Sequence, residues 1–137
     1  EGPPPGQLLP EEIAAGHGAK SEGHYVDTYE LVCRTFAAYP NVVPIKGRVP
    51  DTLTRVPSRQ VAFLCVDLNA AIPERAALEF FWDKVVPGGV ILLDDYGYRG
   101  HDVQRRSFDD FARSRGVRIL SLPTGHGILI KPFRGAD

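Results

Sequence analysis

Three carboxylates follow two apolar segments, at the points where the segments end. Asp67 comes directly after Val61–Val66, and Asp94 and Asp95 come directly after Val90–Leu93. Adjacent parallel strands lie ~4.8 Å apart, so on two such strands the three side chains can converge on one divalent cation. Carboxylates without a nearby His or Cys pattern favour Mg²⁺, Mn²⁺ or Ca²⁺ over Zn²⁺. The spacing therefore predicts a metal site, with ordinary turn chemistry of Asp side chains as the alternative.

A strand–helix–strand unit must position these acids. Val61–Val66 is apolar without alternation, which is typical of a strand buried on both faces of a parallel sheet. The next helix begins near Pro73 and ends at Pro87-Gly88-Gly89, before the strand Val90–Leu93. Its apolar stripe comprises Ala76, Ala77, Phe80, Phe81 and Val85. Because ligands in open α/β sheets lie beyond the carboxyl ends of the strands, we expect a ligand site there, at Asp67, Asn69, Asp94, Asp95 and Tyr96.

The rest of the chain predicts a loop or mobile arm, a helix and further strands. Residues 1–20 are rich in Gly and Pro without a period, which indicates the arm. A helix follows from Ser21, with Tyr25, Tyr29, Val32, Cys33 and Phe36 on one face, and Pro40 breaks it. We predict a short edge strand at 41–46, a helix over Asp102–Arg115, and paired strands at Val117–Leu122 and Gly127–Lys131. Cys33 and Cys65 are predicted to be small buried apolar residues, and each histidine is predicted to be solvated or hydrogen-bonded.

Composition limits the function classes. The chain has 137 residues, 43% hydrophobic and 24% charged, which fits one globular domain. Its 16 basic and 17 acidic residues give a net charge of −1, so the balance favours a small ligand over nucleic acid. No apolar run approaches the ~20 residues of a membrane span, and the sequence shows no signal-peptide pattern. We expect a cytoplasmic protein that binds neither nucleic acid nor membrane.

Two stretches resemble the macrocin O-methyltransferase family of class I S-adenosylmethionine-dependent methyltransferases. They are GHYVDTYELVCRTFAAYPNVVPIKGRVPDTL and VAFLCVDLNAAIPERAALEFFWDKVVPGGVILLDDYG. The resemblance extends from about Gly2 to Pro132, and its most specific parts are GRVPDTL and the DDYG ending. It implies an α/β fold with a Rossmann-like methyltransferase sheet and helices on both faces.

The resemblance also implies a reaction and a set of site residues. The reaction is Mg²⁺-assisted methyl transfer from S-adenosylmethionine to a hydroxyl of a sugar or other polyhydroxylated small molecule. Asp67, Asp94 and Asp95 match the metal ligands; Gly47, Arg48 and Asp67 match cofactor positions; Tyr96 and Gln104 match the acceptor pocket. Asn69 occupies the position of the general base, and an amide cannot take a proton. Either the metal suffices, or His101 or Asp102 accepts the proton, or catalysis here differs.

The cofactor half of the family pattern is missing from the sequence. No G-x-G-x-x-G is present, so we expect residues 21–137 to form the C-terminal portion of the domain, without its first two strands and glycine-rich loop. Such a sheet has exposed edges, which predicts a homodimer or a rearranged N-terminal third. The alternative function is a non-catalytic truncated domain that acts as an assembly module. A metal-dependent hydrolase is disfavoured because no activated nucleophile is evident.

Overall fold

A four-stranded sheet with two long helices forms the centre of the protein. The computed structural model describes residues 4–17 and 26–133. The helices are α1 (Pro10–Ala14), α2 (Tyr29–Thr35), α3 (Ala71–Trp82) and α4 (Asp102–Ser114), with 3-10 turns at Pro5–Gln7, Leu53–Arg55 and Asp94–Gly97. The strands are β1 (Val61–Val66), β2 (Val85–Leu93), β3 (Leu120–Ser121) and β4 (Gly127–Ile130). Within the described ranges, no helix is long and apolar enough to cross a membrane.

The sheet order is β1-β2-β4-β3, and its central pair is the predicted parallel one. β1 and β2 are parallel neighbours, and α3 connects them along the chain. The β3–β4 hairpin adds antiparallel strands on the other side of β2. The prediction that Pro87-Gly88-Gly89 ends a helix is wrong, because these residues already belong to β2. The register of the β1–β2 pairing shifts between Val61 and Phe63. The segment of β2 opposite these two residues therefore forms a bulge within the strand and does not begin a separate element.

The core lies on one face of the sheet. Val66, Ile91, Leu93 and Leu129 point toward α3 and α4, whose buried residues include Leu78, Phe81, Trp82, Phe108 and Phe111. In α4 the apolar residues recur at helical spacing, which confirms the predicted helix. Burial of this face fixes the register of β1 and β2, and thereby the direction in which the acids after them point.

The second face of the sheet is apolar and open. By register and alternation it carries Phe63, Cys65, Val90, Leu92, Leu120, Ile128 and Ile130. Phe63 is 60% exposed, Leu120 63% and Ile130 57%. The prediction that β1 is buried on both faces, Cys65 included, is therefore wrong. The resemblance implies helices on both faces of the sheet, but neither α3 nor α4 covers this face.

The N-terminal segment carries short helices where a loop was predicted. Residues 1–3 and 18–20 of that segment lie outside the described residues. The rest contains one 3-10 turn and α1, which are held by Glu12. Its Oε1 accepts the backbone N–H of Ala71 at 2.8 Å and its Oε2 that of Leu9 at 2.8 Å. Leu8 is also buried. The segment thus packs against the start of α3, and its predicted mobility stays a prediction.

Two further predicted elements differ in the structure. Residues 41–46 form no strand, because they pair with no neighbouring strand in the described parts of the chain. Helix α2 is shorter than predicted and has no buried residue, while Tyr25 lies outside the described residues. The predicted strand Val117–Leu122 shrinks to the two residues of β3, although its hairpin with β4 is confirmed.

Candidate functional site

The three acids predicted from the strand ends lie together. Asp67, Asp94 and Asp95 each offer a carboxylate oxygen, and these oxygens lie within 4.8 Å of one another. The cluster follows from the parallel pairing Val66↔Leu93, which brings the ends of β1 and β2 side by side. The 3-10 turn after β2 then presents two successive acids. The convergence predicted from sequence is thus present.

Crowding and partial burial make this cluster electrostatically unfavourable on its own. Burial raises the pKa of Asp67, and repulsion from Asp94 and Asp95 adds to it. Burial likewise raises the pKa of Asp95, against an opposing effect of His101. A divalent cation relieves this repulsion, and an all-oxygen donor set suits Mg²⁺, Mn²⁺ or Ca²⁺. The residues present therefore fit a hard divalent metal ion.

Asn69 lies at the edge of the cluster as a donor. Its Nδ2 donates to Asp67 Oδ1 at 3.2 Å, and its φ of +54° places it in the left-handed region. Asn tolerates this conformation better than most residues do. The sharp turn lets helix α3 begin two residues later. Asn69 thus orients Asp67, but it cannot accept a proton as a base.

His126 is a site residue that the sequence interpretation missed. Its Nε2 lies 2.9 Å from Asp94 Oδ1, and its Nδ1 lies 2.8 Å from Thr124 Oγ1. The turn between β3 and β4 brings it there, and β4 is antiparallel to β2. The expectation that His126 is hydrogen-bonded is met, with an acid of the cluster as the partner. The sequence clue was the hairpin itself, which puts its turn at the acid-bearing end of β2.

His101 lies on the other side of the cluster. Its Nδ1 is 3.3 Å from Asp95 Oδ2 and 2.8 Å from Gln104 Nε2. With Gln104 Nε2 as the donor, Nδ1 is the acceptor and the proton of a neutral ring lies on Nε2. In this arrangement neither ring nitrogen has a free lone pair. The predicted role of His101 as a proton acceptor requires a ring nitrogen with an available lone pair, and it stays a prediction.

The acceptor-pocket residues predicted from the resemblance are both buried. Gln104 is fully buried, and its Oε1 has no hydrogen-bond partner. Tyr96 is 6% exposed, and its hydroxyl donates to Asp109 Oδ1 at 2.7 Å. Burial, together with this hydrogen bond, raises the pKa of Tyr96. Both side chains brace the surroundings of the cluster, and their contact with an acceptor stays a prediction.

The two other cofactor candidates lie in a different loop. Gly47 and Arg48 precede the 3-10 turn Leu53–Arg55, and Arg48 accepts at its backbone oxygen from Thr52 Oγ1 at 2.9 Å. Gly47 has a φ of +140°, and a Cβ there would clash with Thr52 Cγ2. The loop thus requires glycine for its own geometry. A cofactor role for this pair stays a prediction.

A buried carboxyl behind the cluster was also not recognised from sequence. Glu74 is 2% exposed; its Oε1 accepts the backbone N–H of Leu68 at 3.4 Å, and its Oε2 has no partner. Burial raises the pKa of Glu74 to about 8, and the charges of Asp95 and Glu12 act in the same direction. At neutral pH this raised pKa favours the protonated form of Glu74 in the folded protein. The sequence placed it correctly in the first turn of α3, without showing its burial.

Comparison with known proteins identifies the family and the fold. A methyltransferase domain family matches residues 9–96, which include β1, α3, β2 and the acid cluster. The chain belongs to this methyltransferase family. The structure of the O-methyltransferase NovP has a similar fold, with a TM-score of 0.75 and 18% sequence identity over 91% of this chain. That fold confirms the predicted Rossmann-like α/β class, although the chain spans about half (53%) of the length of NovP. No curated protein matches the sequence.

Proposed function

We propose that this methyltransferase-family chain carries the acceptor side of an O-methyltransferase site that acts on a hydroxyl of a sugar or other polyhydroxylated small molecule. The observation that supports it is the convergence of Asp67, Asp94 and Asp95 within 4.8 Å at the ends of two parallel strands. The macrocin-type motifs GRVPDTL and DDYG support the choice of a hydroxyl acceptor and of this subgroup. A cytoplasmic location stays a prediction.

In this proposal Asp67, Asp94 and Asp95 hold Mg²⁺, or Mn²⁺ or Ca²⁺ in its place. A bound ion supplies charge that orients neighbouring acceptor oxygens and lowers the pKa of a hydroxyl. The chain's own residues then have separate tasks. Asn69 orients Asp67 through its amide, while His126 and His101 flank Asp94 and Asp95.

The methyl donor of this proposal is S-adenosylmethionine, because the family implies it. Gly47, Arg48 and Asp67 are the proposed contacts of this chain with it. The sequence carries no G-x-G-x-x-G, the glycine-rich loop with which Rossmann-type folds hold a cofactor. The proposed donor contacts of this chain are therefore confined to Asp67 and to the loop that carries Gly47 and Arg48.

Calorimetry tests the two halves separately. The chain is titrated with Mg²⁺ and with Mn²⁺, and then with S-adenosylmethionine in the presence and absence of the metal. We expect saturable metal binding that Asp94→Asn weakens and that Asp51→Asn, an exposed control outside the cluster, leaves unchanged. A chain that binds neither metal nor donor contradicts the proposal. Metal binding without donor binding would confine the proposal to the metal and acceptor half of the site.

Catalysis needs its own assay with a panel of acceptors. Sugars, other polyhydroxylated compounds and catechol-type compounds are incubated with methyl-labelled donor, metal and the chain. We expect label to enter a sugar-type hydroxyl and to disappear with chelator or with Asp94→Asn. Transfer to catechols alone would contradict the proposed acceptor class, and chelator-resistant transfer would contradict the metal role.

A second candidate function, a non-catalytic assembly module, is favoured by the open apolar face of the sheet. Phe63, Leu120 and Ile130 are each more than half exposed, and β1 is the terminal strand of the sheet. An edge strand next to an exposed apolar patch is a typical docking surface. The proposed occupant is a second copy of the chain, as in the predicted homodimer.

Light scattering tests whether the chain forms this homodimer. We expect the mass of a dimer, and we expect Phe63→Lys to shift it to the mass of a monomer. Asp83→Ala, an exposed side chain outside the open apolar face, serves as the control. A monomeric wild-type chain at micromolar concentration would contradict the dimer. A dimer that binds neither metal nor donor would favour the assembly module over the enzyme.

A further inference from the structure

We propose that the turn between β3 and β4 is a positioning element of the metal site, in which His126 fixes the carboxylate of Asp94 and Thr124 fixes the tautomer of His126. This inference rests on the proposed metal role of the acid cluster. It adds a part of the chain, residues 123–127, that lies outside the strand–helix–strand unit and outside the matched residues 9–96.

The hydrogen-bond chemistry allows one arrangement of protons in a neutral ring. An ionised Asp94 only accepts, so the His126 Nε2 at 2.9 Å from its Oδ1 carries the proton and donates. The Nδ1 is then an acceptor, and the Thr124 hydroxyl at 2.8 Å donates to it. Thr124, His126 and Asp94 therefore form a directed chain of donors that ends on one oxygen of the cluster.

The turn is anchored to the same 3-10 turn that carries the acids. The backbone N–H of Gly97 donates to Gly125 O at 2.7 Å, and the N–H of Leu122 donates to His126 O at 2.9 Å. Gly127 packs so closely that a Cβ there would lie 2.7 Å from Tyr96 Cγ. These contacts hold the imidazole at a fixed place relative to Asp94.

The hydrogen bond from His126 limits the rotation of the Asp94 carboxylate, which bears on cation binding. The side chains of His126 and Asp94 are each 35% exposed, so an isolated Asp94 carboxylate would retain rotational freedom. A donor on its Oδ1 removes part of that freedom before a cation binds, so the carboxylate that would hold the ion is already oriented. Partners of this kind around a metal ligand typically change metal affinity by roughly 10–100-fold.

Two replacements of His126 test the positioning role. His126→Gln keeps an N–H donor at a similar distance from the backbone, whereas His126→Phe keeps a planar ring and removes the donor. Mg²⁺ and Mn²⁺ affinities are measured by calorimetry for the 137-residue chain. Thermal unfolding with chelator monitors the fold of each variant. Thr124→Val, which removes the hydroxyl and keeps the shape, probes the outer member of the chain.

We expect His126→Phe to weaken both metals by roughly 10-fold or more, His126→Gln to stay within about 3-fold of the wild type, and Thr124→Val to fall between them. Wild-type-like affinity in His126→Phe overturns the inference and leaves the proposed metal role intact. Equal weakening in the Gln and Phe variants also overturns it, because a donor would then not be what matters. A wild-type chain that binds neither metal overturns the metal role itself.

Discussion

His101 Nδ1 lies closer to Gln104 Nε2, at 2.8 Å, than to Asp95 Oδ2, at 3.3 Å. A single ring nitrogen cannot accept from the amide and donate to the carboxylate at once. When the Gln104 amide nitrogen donates to Nδ1, the imidazole proton lies on Nε2. This contact bears directly on whether His101 is a base, because a hydrogen bond from the amide to Nδ1 occupies the only lone pair of the neutral ring.

The tautomer of His101 is the first prediction. Nitrogen-15 chemical shifts of the wild-type ring should show a protonated Nε2. Gln104→Met removes the donor and leaves Asp95 as the remaining polar neighbour, so the proton should move to Nδ1. The outcome that contradicts this assignment is a wild-type ring already protonated on Nδ1.

The same variant should have little effect on stability. Gln104→Met loses one hydrogen bond, worth about 1 kcal/mol, but it also removes a buried amide oxygen that has no partner. We expect the free energy of unfolding to change by less than about 1.5 kcal/mol in denaturant titrations. Gln104→Ala is the contrasting variant, because the cavity it leaves should make it clearly less stable.

An acid placed at position 69 gives the third prediction. Asn69→Asp exchanges the amide that donates to Asp67 for a fourth carboxylate in the cluster. We expect lower stability in chelator, because repulsion increases, and tighter binding of Mg²⁺. Methyl transfer should rise if an acid at this position is the proton acceptor.

Asn69→Gly is the matched control, since glycine accepts the φ of +54° without strain and brings neither a donor nor a base. Transfer rates of the wild type and Asn69→Asp that agree within error, in enzyme that binds metal normally, would exclude this position as the proton acceptor.

Glu74 gives a prediction for the pH dependence of stability. Burial raises its pKa to about 8 in the folded protein, from an ordinary value of 4.5. The folded state thus binds the proton more tightly than the unfolded state. The stabilising contribution is complete below pH 4.5, declines as the pH rises to about 8, and is constant above that pH.

Glu74→Gln should remove this decline. The loss in the wild type approaches ~1.4 kcal/mol per pH unit where the unfolded side chain is ionised and the folded one is not. We expect the variant to be more stable than the wild type at pH 8 and to differ little at pH 4. Glu79→Gln, on the same helix and exposed, is the control. A pH-independent difference between Glu74→Gln and the wild type would contradict the raised pKa.

Removal of one acid from the cluster should change the melting temperature in a direction that depends on whether metal is present. Asp67→Asn removes one of three mutually repelling carboxylates, so the melting temperature in chelator should rise. In excess Mg²⁺ the wild type gains stability by ligand binding, and the variant should gain much less. Calorimetric melts with and without metal measure both. A lower melting temperature of Asp67→Asn in chelator would show that the three acids do not repel one another in the folded protein.

The sequence by itself determined the strand–helix–strand unit and the convergence of its acids. Apolar runs of strand length that each end in acid, with a helix between them, leave one parallel arrangement, because the crossover is nearly always right-handed. Hence Asp67, Asp94 and Asp95 were placed correctly. The family membership followed from the same motif, which lies within the matched residues 9–96.

Only the tertiary structure decided the exposure of β1 and the partners of the acids. Periodicity reports how apolar a strand is but not whether anything covers it, so the exposed Phe63 was predicted to be buried. Likewise, His126 meets Asp94 through an antiparallel pairing between segments more than 30 residues apart, which no local pattern encodes. The raised pKa of Glu74 likewise depends on its burial and on the charges of Asp95 and Glu12, which come from distant parts of the sequence. Local sequence fixes which groups are available, whereas long-range packing sets their solvation and their neighbours.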